Sequence, residues 1–175
     1  KGGDTVTCEV IGNTCYNDCL TASGQDQLKV ETSTDTKVVK NNISMDPGNA
    51  TSACFRLSSL TGYTGANNCW RQTTAGRNLV DSPNGNDTNI ATWNTYSSGN
   101  DINQDPLFTN LGGRDFTLQS GSPCKDAGNA AGGVYLNGLN PSSTWPDNAA
   151  TLNQSAYGTG YEIGAFVFDT GAPPP

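Results

Sequence analysis

The sequence predicts an ordered, loop-rich, all-β domain, and three observations carry that expectation. Apolar residues recur in short alternating runs and never at helical spacing over a long window. Gly, Asn and Thr interrupt every stretch long enough for a helix, and turn residues bound each run. Three Trp, six Tyr, five Phe and an even six Cys are spread along 175 residues of which only 14% are charged. Val, Ile, Leu and Phe supply only about a sixth of the chain, a share that with net charge −7 borders on the composition of disordered chains. The aromatic residues, the cysteines and the absence of charge runs weigh toward order.

Each run reads as a short strand. Val6 to Ile11 and Leu28 to Thr32 are β-prone, and Lys37 to Met45 spaces Val39, Ile43 and Met45 for one face. Ala53, Phe55 and Leu57 alternate with Cys54 and Arg56. Asn78-Leu79-Val80 follows, then Ile90 to Tyr96 with Trp93, then Phe116 with Leu118, and finally Ile163, Ala165 and Val167. Asp46-Pro47-Gly48, Pro83-Asn84-Gly85 and Ser98-Gly99-Asn100 supply turns between them. Asn41-Asn42 before Ile43 suits a tight turn, because Asn tolerates the left-handed backbone. Short strands with irregular turns fit a sandwich or a solenoid, and a solenoid needs few inward residues because each rung covers the next. No fixed-period repeat separates the two.

Charge and composition narrow the function classes. A pI near 4.3 with nine scattered basic residues opposes a nucleic-acid partner, which needs a concentrated positive patch. No apolar run approaches the length that spans a bilayer, so no membrane insertion is expected. The chain opens on Lys1-Gly2-Gly3-Asp4, without initiator Met, basic region or apolar signal segment, and is expected to be a mature, processed or excised piece. Cys8, Cys15, Cys19, Cys54, Cys69 and Cys124 are expected to form three disulfides in an oxidising compartment, with free buried thiols or a metal site as alternatives. The chain has no His and no C-x-x-C pair of the zinc-ribbon kind, so no metal centre is expected.

The order of four short motifs decides between the architectures. Asp105-Pro106-Leu107-Phe108 is followed by Arg114-Asp115-Phe116-Thr117-Leu118-Gln119, by Gly121-Ser122-Pro123-Cys124-Lys125-Asp126-Ala127-Gly128, and by Glu162-Ile163-Gly164-Ala165-Phe166. This succession resembles the C-terminal region of bacterial right-handed parallel β-helix surface proteins, and Lys40-Asn41-Asn42-Ile43 resembles a rung of the same proteins. The resemblance implies a single β-helix domain over 1–168, a surface-loop insertion over 129–160 and a Pro-rich linker over 169–175. It also implies a secreted or cell-surface location. In that role Pro106 stops a helix, Phe116 and Leu118 point inward, and Gly164 admits close packing of the last strand. Cys124 and Lys125 depart from the family's small or apolar residues.

Candidate chemistry is limited to carboxylate and Lys/Arg groups, since His-based triads are excluded. Asp81, Asp87, Asp101 and Asp105 are the densest acidic stretch, with Asp87 and Asp101 flanking Trp93 and Tyr96. Carboxylates beside an aromatic face suit a polysaccharide lyase or glycoside hydrolase acting on an acidic polysaccharide; capping of turns is the plainer reading. Trp70, Arg71, Trp93 and Tyr96 are candidate glycan-stacking residues, and packing is the alternative for both Trp. Calcium fits the same acidic loops, although no dedicated loop spacing is present. Sequons stand at Asn42, Asn49, Asn86 and Asn153, a number that chance alone accounts for. The expected role is a non-enzymatic extracellular β-helix, glycan-associated and stacking end to end through unpaired terminal strands. The enzyme and a glycan-binding adhesin are the rivals.

Overall fold

A computed structural model of the chain describes residues 7–19, 26–31, 36–144 and 147–169. Within these residues the protein is mostly strand with few helices. Nine short strands come first: β1 (Thr7–Ile11), β2 (Thr14–Tyr16), β3 (Leu28–Val30), β4 (Thr36–Lys40), β5 (Ile43–Met45), β6 (Phe55–Leu57), β7 (Tyr63–Ala66), β8 (Cys69–Arg71) and β9 (Val80–Ser82). They pair in parallel with a constant offset of three, as β1-β4-β7, β2-β5-β8 and β3-β6-β9. Thr14 is aligned with Ile43 and Ile43 with Cys69, so the repeat was hidden from the sequence by unequal loops.

The corner between the first two sheets recurs in every turn of the chain. Asn41, Asn67 and Asn100 sit at φ 56°, 56° and 67°, with Gly12 at 68° in the first turn. This left-handed residue is open mainly to Gly and Asn, and it redirects the chain by one residue's step. The Lys37–Met45 run therefore bends at Asn41 and does not continue as one strand. Val39 joins an interior cluster with Phe55, Leu57, Trp70, Val80 and Trp93, whereas Ile43 and Met45 belong to a second cluster.

The alternation of strand side chains explains the two clusters. In β8, Trp70 faces the interior while Cys69 lies on the outer face of its sheet. That outer face is covered by the motif-bearing segment 105–168. Its antiparallel hairpin, β11 (Phe108–Asn110) with β12 (Asp115–Leu118), supplies Phe108 and Leu118, and Cys124 and Ile163 complete the cover. Asn41 Nδ2 donates to Asn129 O at 2.8 Å, Asn129 N donates to Asn41 Oδ1 at 2.7 Å, and Asn67 Nδ2 donates to Ala127 O at 2.8 Å. The same left-handed asparagines that turn the corner thus clamp this segment along the flank.

One further expectation is corrected. Ile90–Trp93 is a short helix, α1, because Asn89 Oδ1 accepts from Ala91 N at 2.8 Å and Trp93 is drawn into the interior. Pro83-Asn84-Gly85 turns into β10 (Gly85–Asp87), which pairs antiparallel with β9 and covers its edge. Segment 129–160 contains its own hairpin, β13 (Asn137–Leu139) with β14 (Thr151–Asn153). Leu139 bridges to Phe166, which ties that hairpin to the terminal stretch. Residues 170–175 of the expected linker, and Val6 and Thr32 of the expected strands, lie outside the described residues.

Candidate functional site

The densest polar constellation lies at the recurring corner, one residue after each left-handed position. Asn13 Nδ2 donates to Asn42 Oδ1 at 2.9 Å, Asn42 Nδ2 to Asn68 Oδ1 at 2.9 Å, and Asn68 Nδ2 to Asp101 Oδ1 at 3.0 Å. The backbone N–H of each asparagine donates to the same oxygen, at 3.1, 3.0 and 2.8 Å. Asn42 and Asn68 are sealed from solvent, so every amide group needs such a partner. The result is a stack of amides running across the turns of the chain and ending on a carboxylate.

Asp101 closes that stack from the far side. It is buried, and its second oxygen accepts Trp93 Nε1–H at 2.7 Å and Trp70 Nε1–H at 3.0 Å. Burial raises its carboxyl above the usual range, and the Asn68 backbone N–H, both indoles and the Asn68 amide pull it back. Both Trp rings are fully buried. Trp70 stacks on Phe55 at 4.8 Å and 8°, and Trp93 meets Phe55 edge-on at 6.1 Å. Neither ring has a face free for a sugar.

The other acidic candidates are dispersed. Asp81 pairs with Arg56 at 3.3 Å on the outer face of the third sheet, where Arg56 also holds Asp26 at 3.3 Å. Asp87 lies on β10, half-buried, with its carboxyl raised by desolvation. Asp105 is exposed and caps Leu107 N at 2.9 Å, which holds Leu107 at φ 52°. No hydrogen bond or ion pair joins any two of these four carboxylates among the described residues. Nor do three His, Cys, Asp or Glu side chains gather in a cation-binding group among the described residues. Arg71 reaches Asn103 Oδ1 at 3.3 Å, and Tyr96 is 42% exposed beside Trp93.

No two of the six cysteine sulfurs lie at disulfide distance, where three disulfides were expected. Cys54 lies in the interior cluster and donates to Arg71 O at 3.2 Å, whereas Cys69 lies on the outer face and donates to Gln104 O at 3.3 Å. Cys124, on the inner side of the flank segment, sits against Cys69, and that neighbouring thiol, followed by burial, pushes its ionisation far up. Desolvation likewise raises Cys54, Cys15 and Cys19. Of the sequons, Asn42 is consumed by the amide stack and offers no free amide, Asn49 is half-buried, and Asn86 and Asn153 are exposed.

No protein-family model matches the chain, and neither a curated protein nor a solved structure does. The geometry therefore stands by itself.

Two features escaped the sequence. Lys37 is completely buried, with Nζ donating to Thr61 O at 2.7 Å, in a row with Cys8 and Tyr63 that alternation alone would have placed inside. Glu162 is buried as well, and desolvation raises its carboxyl to about 7, with Asp126 adding repulsion and Lys125 opposing it. The N-N-h and N-D-I corners at 41–43, 67–69 and 100–102 were the available signal for the amide stack; unequal spacing concealed it.

Proposed function

We propose that the chain is a right-handed parallel β-helix serving as a structural module of a secreted or cell-surface protein. The constant offset of strand pairing and the asparagine corners support the architecture. The observation that carries the structural role is the fate of Asp101: the carboxylate closest to both candidate aromatic platforms is spent on four internal hydrogen bonds. A catalytic carboxylate needs at least one oxygen open to a substrate.

Strand-edge association is one-sided in this reading. Among the described residues β1, β2 and β3 pair on one side only, whereas the opposite edges are covered by β10, by Ser98 N donating to Gly65 O, and by Trp70 N donating to Ile102 O. The end-to-end stacking expected from an open terminal rung would use the edge of β1, β2 and β3.

Incubation with acidic and neutral polysaccharides, with and without Ca²⁺, tests the reading. No release of reducing ends or unsaturated uronates is expected. Turnover that disappears in Asp81→Asn or Asp105→Asn, both of which leave the amide stack intact, would establish the enzyme instead.

A further inference from the structure

The flank carries a surface feature separate from Trp70 and Trp93. Where the β11–β12 hairpin meets the 139–143 stretch and Phe166, an open groove of about 350 Å³ is lined by Arg114, Asp115, Phe116, Thr117, Ser143 and Phe166. Its size falls within the range of small-molecule sites, about 300–1,000 Å³. We infer that this groove binds a neutral pyranose ring of a glycan, a role that goes beyond the structural one.

Its polar groups are held in place yet unspent. Arg114 follows the 3₁₀ turn Leu111–Gly113 at φ 60°, its backbone N–H bonded to Leu111 O at 3.1 Å, while Asn110 Oδ1 caps Gly113 N at 3.0 Å. The guanidinium is exposed and makes no hydrogen bond or ion pair among the described residues. Asp115 Oδ1 accepts Thr117 N at 3.1 Å and Thr117 Oγ1 at 2.7 Å, which fixes the carboxylate and leaves its other oxygen without a partner there. An oriented acceptor beside a fan of donors matches adjacent hydroxyls, each of which both donates and accepts.

The apolar lining completes the match. Phe116 is braced by Phe108 at 5.3 Å and Tyr16 at 6.1 Å, and Phe166 is anchored through its bridge to Leu139; both remain half-exposed. Phenyl surface suits the C–H face of a pyranose and gives no reason to recruit a bare ion. Arg114 and Asp115 are opposite in sign, so the groove favours a ligand without net charge over an anionic one.

Ligand-observed NMR with neutral methyl pyranosides and their disaccharides tests the site. At least one is expected to bind the parent chain. Arg114→Asn keeps a residue that tolerates the left-handed backbone, and Asp115→Asn keeps the acceptor for Thr117. Each is expected to weaken binding by about tenfold or more, the size of a lost hydrogen bond to a charged group. Asn86→Ala, on the β9–β10 hairpin, is expected to leave it unchanged. Circular dichroism confirms that each variant is folded, and if one is not, the other decides. Absence of pyranoside binding at saturating concentrations, or binding that survives both substitutions, would overturn the proposal.

Discussion

The indole of Trp93 donates to Asp101 Oδ2 at 2.7 Å, at the point where the stacked asparagine amides end. One carboxylate thus joins the amide stack to the aromatic interior, since Trp70 reaches the same oxygen at 3.0 Å. Asp101→Asn tests the join with almost no change of shape. Its Oδ1 can still serve Asn68, but its NH₂ then faces two indole N–H donors with nothing to offer them. Two buried donors lose their acceptor, at a cost of about 3 kcal/mol or more in unfolding free energy. The urea midpoint measures it; a loss below about 1 kcal/mol would show that the indoles find other partners.

The amide stack predicts a gradient along itself. Asn42 is sealed and bonds in both directions, donating to Asn68, Val10 O and Lys40 O while accepting from Asn13. Asn13 is exposed and donates to Asn42 and Ile11 O. Asn42→Ala strands buried backbone and amide groups on both sides and is expected to cost about 3 kcal/mol, whereas Asn13→Ala should cost about 1 kcal/mol or less. Equal losses in denaturant titrations would mean the stack is not read out as a buried network.

Glu162 sets a pH dependence with a definite sign. Its folded carboxyl ionises at about 7 against an ordinary value of 4.5, so the folded state holds the proton more tightly than the unfolded chain. The stability tied to the neutral form is complete below about pH 4.5 and is lost as pH rises through about 7. Glu162→Gln keeps the uncharged shape and removes the titration. The variant should match the parent near pH 4 and exceed it at pH 8 by on the order of 2–3 kcal/mol. Melting curves at both pH values measure the difference; parallel pH profiles would mean that Lys125 compensates the charge completely.

The strands were legible in the sequence because alternation is a local signal. Phe55 and Leu57, or Phe116 and Leu118, announce a face without reference to anything distant. What faces them is not local. Ile43 and Val39 look alike in the sequence, yet a single left-handed asparagine between them assigns one to the interior and the other to the flank. The partners of Asp101 are non-local in the same way. The sequence placed Asp101 beside Trp93 and left Trp70 apart, and a carboxylate beside an aromatic ring reads the same whether a substrate or an amide stack lies on its other side. Asn68, 33 residues away in the chain, makes the difference.

The flank segment and the interior are separate packing units, and the cysteines report on each. Gly164 sits at φ 109°, and a Cβ there would lie 2.7 Å from Ile43 Cδ1 and 3.0 Å from Thr14 Oγ1, the atom that accepts Ala165 N. Gly164→Ala therefore strains the backbone and pushes the segment away from the outer face of β2 and β5, at a cost of about 2–4 kcal/mol. Cys69 lies beneath that segment and Cys124 on the segment's inner side, while Cys54 lies in the interior. In the parent, thiol reagents should modify the half-buried Cys8, Cys15 and Cys19 quickly and the three buried thiols slowly. In the Gly164→Ala variant, Cys69 and Cys124 should react at least about tenfold faster, with Cys54 unchanged, because local opening exposes only groups beneath or on the inner side of the displaced segment. If all three buried thiols accelerate together, the segment and the interior open as one cooperative unit, and the division into two cores is structural without being energetic.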